Sequence, residues 1–185
     1  MAQPKILTSQ AAVGTASDQF TLYSDVFLGA SPPGSGRIIK SVHGTLGGLT
    51  GTSTIPFDNS IPLISEGTEF GTFTYTKQYS DTHMHFNFSC LLDAGSNNTS
   101  IVVAVFRDTT CIAASVVAID TAGRPKNFAL TGEDSALPIG SYTYSTRVGS
   151  DLGQAWYINQ LSTGTNLGNT IKSTWILGEY ATYTP

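Results

Sequence analysis

His83-Met84-His85-Phe86-Asn87-Phe88-Ser89-Cys90-Leu91-Leu92 carries the clearest pattern in the chain. Met84, Phe86, Phe88, Cys90 and Leu92 fall on one side of an alternation. His83, His85, Asn87 and Ser89 fall on the other. Side chains of a strand point to opposite faces in turn, so this period of two predicts a half-buried antiparallel strand. Downstream, Asp93–Asn98 reads as a turn. Ile101–Phe106 is apolar on both faces. After Asp108-Thr109-Thr110, Cys111–Ile119 is a second such run. Both runs need cover on two sides. One side is the core of a sandwich; a subunit interface is the expected cover for the other, since nothing else in the chain suggests itself.

The remaining segments read the same way. Thr54–Asn59, Glu69–Thr76, Phe128–Leu130, Ser141–Val148, Gln154–Asn159 and Ile171–Tyr180 are rich in β-branched and aromatic residues, with turn chemistry between them. No segment reads as a helix. Composition agrees: only 12% of the 185 residues are charged, against about a quarter in an average domain. The chain holds 25 Thr and 20 Ser, which satisfy turn backbone and suit strands. Its 19 aromatics argue against disorder. The expectation is an all-β fold, a sandwich or barrel of about eight strands.

Residues 1–43 look different, being small and polar at first. Phe20, Leu22, Val26, Phe27 and Leu28 form one apolar patch, and Ile38, Ile39 and Val42 a second. Ser31-Pro32-Pro33-Gly34-Ser35-Gly36 lies between them, an arrangement that suits a hairpin. Gly44, Gly47, Gly48 and Gly51 read as a flexible linker. We therefore expect an arm and linker over 1–50 and a globular domain over 51–185. Neither a signal peptide nor a transmembrane span is expected after Met1-Ala2-Gln3-Pro4-Lys5, so the chain is expected to fold in a cytoplasm. Cys90 and Cys111 are then expected as buried free thiols. The net charge of −4 and nine scattered Lys and Arg give no basic face for nucleic acid.

Ile55-Pro56-Phe57-Asp58-Asn59-Ser60-Ile61-Pro62 with Glu66-Gly67-Thr68-Glu69 resembles the opening of a jelly-roll domain of bacteriophage tail-fibre and head-fibre proteins. The likeness continues through Val105-Phe106-Arg107-Asp108, Arg147-Val148-Gly149 and Trp175-Ile176-Leu177-Gly178, covering roughly residues 53–181. It implies an antiparallel jelly-roll sandwich, TNF/C1q-like, that forms homotrimers on a virion. It carries no catalytic residues and no cofactor. Gln154-Ala155-Trp156-Tyr157 departs from the pattern as an insertion, and residues 1–50 match nothing in it.

The resulting expectation is a structural virion protein, a homotrimeric capsid decoration or head-fibre protein and not an enzyme. The arm would contact the major capsid protein or another virion protein through Phe20, Leu22, Val26, Phe27, Leu28, Ile38, Ile39 and Val42. Expected trimer-interface residues are Val103, Val105, Val116, Ile119, Tyr142, Tyr144 and Trp175. The alternative is a tail-fibre tip that recognises a host surface glycan or protein. Its loops would be 93–99, 121–126, 132–139 and 150–168, with Trp156 and Tyr157 as ligand aromatics. His83 and His85 make a His-x-His pair, read as a polar strand face, since the third histidine, His43, lies across the linker. Arg107 and Arg147 are expected to pair with Asp108 or Asp120 across subunits. Glu66, Glu69 and Asp120 are the carboxylates a hydrolase reading would need, and that reading is disfavoured.

Overall fold

A computed structural model of the chain describes residues 38–135, 137–164 and 170–181. The strands are β1 (Ile38–Leu46), β2 (Leu49–Gly51), β3 (Thr68–Lys77), β4 (Thr82–Ala94), β5 (Thr99–Arg107), β6 (Thr110–Ile119), β7 (Lys126–Asp134), β8 (Gly140–Ser150), β9 (Trp156–Ile158) and β10 (Ser173–Ala181). No helix occurs among the described residues. One sheet runs β1-β10-β4, with β7 on the other edge of β4. Short β9 pairs with Leu92–Ala94 of β4 and with β2. The second sheet runs β3-β8-β5-β6. All strand pairs are antiparallel. Apart from β1–β2, the β5–β6 hairpin and β9–β10, connections pass between the two sheets, and the strand orders β1-β10-β4-β7 and β3-β8-β5-β6 make the fold an antiparallel jelly-roll sandwich.

The decisive stretch behaves as its alternation requires. Met84, Phe86, Phe88, Cys90 and Leu92 are buried, and the residues between them are half-buried. From the first sheet Trp175 and Leu177 join them; from the second come Ile101, Val103, Val105, Tyr144 and Val148. Trp175 sits among Phe73, Phe86 and Phe88 at centroid distances of 5.3–6.4 Å, and its indole N–H donates to Thr146 Oγ1 at 2.6 Å. The polar tip of a buried tryptophan is thereby satisfied.

Three expectations need correction. The boundary at residue 50 does not separate an arm from a domain. β1 pairs with β10 from Ile38 to Leu46, and β2 pairs with β9, so residues 38–51 belong to the sandwich. The glycines there serve close approach: a side-chain carbon on Gly44 would collide with the Phe73 ring, and one on Gly51 with the Trp156 ring. Val42 packs on the chain's own core, and residues 20–28, the expected hairpin partner of β1, lie outside the described residues. The backbone of Ile38 and Ile39 lies in β1. Phe20, Leu22, Val26, Phe27, Leu28 and the side chains of Ile38 and Ile39 lie outside the described residues.

The second correction concerns the doubly apolar run. Thr54–Asn59 makes a single bridge, Thr54 to Ser150, and is otherwise no strand. Residues 54–67 instead form a loop closed at its neck by the Gly67 N–H donating to the Thr54 carbonyl at 2.9 Å. Its close ends and compact course make it an Ω-loop. Ile55 and Ile64 lie on Val102, Ala104 and Phe106, the outer face of β5. The cover comes from the same chain, not from a second subunit.

The third follows from it. Val103, Val105, Ile119, Tyr144 and Trp175 are fully or almost fully buried within one chain, so they are not surface residues of a trimer. Val116 and Tyr142 remain half-buried.

Candidate functional site

The strands run between two ends of the sandwich. At one end β1 begins at Ile38 and β10 ends at Ala181; Ile38 is the register partner of Tyr180, and Ala181 of Thr82. Turns 78–81 and 108–109 and the described residues between β7 and β8 share this end. Turns 95–98 and 120–125 and the segments around 152–155 and 159–164 lie at the other. β4, with 13 residues, spans about 40 Å between them. Of the expected contact loops, 93–99, 121–126 and the described part of 150–168 therefore cluster together, whereas the described part of 132–139 sits at the end that holds Ile38 and Ala181.

The Ile38 end is built on one carboxylate. Buried Glu179 accepts from the Tyr79 N–H at 3.0 Å, from Gln78 N–H at 3.2 Å, from Thr82 Oγ1 at 2.6 Å and from Tyr75 OH at 3.3 Å. Burial, and then the nearby Glu179 charge, push the Tyr75 phenol well above its ordinary value. Lys77, also buried, donates to the Tyr79 carbonyl. A similar arrangement holds β7 to β8: Arg107 pairs with Asp134, which accepts from Tyr144 OH at 3.0 Å. Tyr144 is likewise raised, first by burial and then by Asp134.

The far end is fixed by Asp93 and Asn159. Buried Asp93 accepts from Gly123 N–H at 3.1 Å and Ser162 N–H at 2.8 Å, tying two loops to β4. Asn159, at φ 55, donates to the carbonyls of Leu46 and Gly47 and to Ser173 Oγ, and accepts from Leu91 N–H. Every polar atom of that amide is satisfied. Asn97 accepts from Ala122 N–H at 2.8 Å. These loops are held by hydrogen bonds rather than by apolar burial.

The expected ligand aromatics separate. Trp156 is fully buried and donates to the Ser53 carbonyl, so it is a core residue. Tyr157 points the other way and stays half-exposed beside Gly95. The two arginines pair within the chain, contrary to the expected contacts across subunits. Arg107 takes Asp134, and Arg147 donates to the carbonyls of Glu66 and Gly67 with Glu69 nearby at 3.9 Å. Asp108 accepts from Thr143 N–H, and Asp120 pairs with Lys126 at 2.8 Å, which holds its carboxyl below the usual range. Glu66 accepts from Leu63 N–H at 2.8 Å.

His85 packs against the Tyr180 ring, while His43, separated from β4 by β10, bonds Ser41. Among the described residues no three His, Cys, Asp or Glu converge as metal ligands. Cys90 and Cys111 are free thiols on different sheets. Burial pushes Cys90 up to about 12 and raises Cys111. No described helix is long and apolar enough to cross a membrane.

Sequence reasoning missed the outer side of the Ω-loop. Phe57, Ile61 and Leu63 are 60%, 73% and 60% exposed, and Leu152 is exposed next to Asp151, whose carboxylate accepts from Phe57 N–H at 2.7 Å. Asp58 accepts from both the N–H and hydroxyl of Ser60, so the apolar side chains stand on a braced backbone. A groove of about 280 Å³ runs between Pro56, Phe57 and Pro62 and the β6 residues Ala114–Val116. The only sequence signal was two prolines inside a segment otherwise rich in strand formers, which argues against a strand.

No family model and no curated protein matches the chain. Among solved structures it is similar to the sugar-binding C-terminal domain of EclA (12% identity, TM-score 0.36, covering 63% of this chain and 76% of that one). It is also similar to latent PorU of Porphyromonas gingivalis (9%, TM-score 0.41, 82% and 13%) and to a chain of infectious bursal disease virus, Gt strain (9%, TM-score 0.39, 80% and 39%). The chain thus spans well under half of the last two. At such TM-scores the assignment of the fold rests on the chain's own strand order.

Proposed function

We propose that this chain is a structural virion protein of a bacteriophage, a homotrimeric capsid decoration or head-fibre protein. In this reading residues 1–37 reach the major capsid protein or another virion protein, and the sandwich is displayed outward. The observation that carries it is polarity: β1 begins and β10 ends at one end of the sandwich, while hydrogen-bonded loops 95–98, 120–125 and 159–164 crowd the other. A module tethered at one end and preformed at the other suits display. The sequence likeness to phage fibre jelly rolls and the low charge fit the same reading.

Light scattering on the full chain tests the assembly. A mass near 58 kDa, three times 19.5 kDa, supports it; a monomer removes the trimer. Co-sedimentation with phage heads tests the anchor. Serine replacement of Phe20, Leu22, Val26, Phe27 and Leu28 should abolish it, and undiminished binding would remove the arm from the contact. A receptor-binding tip is the second reading, favoured by the preformed far loops and half-exposed Tyr157. Under it, Tyr157→Ala weakens adsorption to host cells and leaves head binding unchanged.

A further inference from the structure

An edge strand exposes unpaired backbone groups, and proteins ordinarily guard such an edge with charge. The long edge strands of this sandwich follow that rule with one exception. β1 carries Lys40, β3 carries Glu69, and β7 carries Lys126 and Glu133, none of them buried. β6, Thr-Cys-Ile-Ala-Ala-Ser-Val-Val-Ala-Ile, carries no charged side chain. Its edge is closed at both ends, though. Ile112 is the extra residue of a bulge opposite β5, and Lys126 Nζ occupies the Ala118 carbonyl. Residues alternate in direction, so between those limits Val116 and Ala114 turn their backbone N–H and C=O outward.

The Ω-loop stands beside this open run. Phe57, Ile61 and Leu63 together expose about 350 Å² of apolar surface, a size at which patches mark interaction sites. Of these three side chains Phe57 lines the groove between loop and strand, and it joins the loop to the open run of β6.

We propose that this surface is a two-fold interface with a second copy of the chain. β6 of each protomer lies antiparallel to the other around Ala114–Val116, and the two Ω-loops pack over the seam. Charge is compatible with a second copy: β6 itself brings no like charges to the seam, and the carboxylate that lines the groove, Asp58, is held by the N–H and hydroxyl of Ser60. Area argues for one. Two loops bring about 700 Å² of apolar surface before either strand is counted, against the roughly 1,200 Å² at which stable interfaces begin. Small side chains at Ala113, Ala114 and Ser115 allow the strands to approach. The contact is isologous. It therefore differs from any trimer contact, and a trimer carrying it would join into larger assemblies.

Cysteine scanning of the full chain in a Cys111→Ser background tests it, since Cys90 is buried and silent. In a two-fold pairing each residue meets a different one except at the axis. Of Ala114→Cys, Ser115→Cys and Val116→Cys, one should give most of the disulfide-linked dimer near 39 kDa, twice 19.5 kDa, with yield falling on either side. Val116→Lys should weaken self-association about tenfold, as a charge on the seam must lose its water, in a chain that a melting curve shows to be still folded, since Val116 also packs on the β5 cluster. Equal yield at all three positions indicates random collision and overturns the proposal, as does no cross-link, or association untouched by Val116→Lys. The virion reading fails separately: a trimer without self cross-links keeps that reading and removes this contact, and self cross-links without a trimer do the reverse.

Discussion

The outer faces of the two sheets solve the same problem in opposite ways. On the first sheet, β4 presents His83, His85, Asn87 and Ser89, polar side chains that tolerate water. On the second, β5 presents Val102, Ala104 and Phe106, which do not. The chain covers them with its own Ω-loop, seating Ile55 and Ile64 inward. Phe57, Ile61 and Leu63 of that same loop then face solvent. The cover that hides one apolar face thus carries three large apolar side chains on its own outer side.

The sharpest way to break this contrast is at the covered face. Phe106→Ala should destabilise the fold by about 4 kcal/mol, the usual loss for a fully buried aromatic, read from denaturant unfolding. Ile55→Ala should follow at about 3 kcal/mol and release the loop. The two thiols report which face has opened, because Cys111 packs beside the covered cluster and Cys90 faces the main core. In Ile55→Ala, thiol reagents should reach Cys111 faster while Cys90 still waits for global unfolding; equal acceleration of both would mean that the loop and core open as one unit.

Alkaline titration sharpens the contrast further. The folded protein holds the Cys90 proton more tightly than the unfolded chain does. Its contribution is complete below pH about 9 and is lost as pH rises toward about 12, at up to ~1.4 kcal/mol per pH unit. Tyr75 and Tyr144 act in the same direction above pH 10. Cys90→Ala should flatten the early part of that decline in chemical unfolding curves. The smallest effect belongs to the open face, where Asn87→Ser should change stability by no more than ~0.5 kcal/mol in the same assay.

Local pattern made β4 legible, because alternation is written in consecutive residues. The apolar outer face of β5 was legible too, but not what covers it. Ile55 and Ile64 meet that face from a loop without periodicity. Gly44 and Gly51 misled for a related reason: a glycine kept for flexibility and one kept for an approaching ring look alike until Phe73 and Trp156 are brought in from distant sequence. Adjacent Trp156 and Tyr157 could not be sorted inside from outside, since a three-residue strand holds too little alternation to set its own phase.

The pairing of β1 with β10 also decides how the molecule bears load. Ile38 and Tyr180 face each other at the end where β1 begins and β10 ends. Pulling residues 38 and 181 apart would peel the two strands open one hydrogen bond at a time, like a zip. Pulling residue 38 against the far loops would instead load the register from Ile38 to Leu46 all at once, in shear. The same bonds are weak in the first geometry and strong in the second, so a tether through the preceding residues alone gives the sandwich a stiff axis.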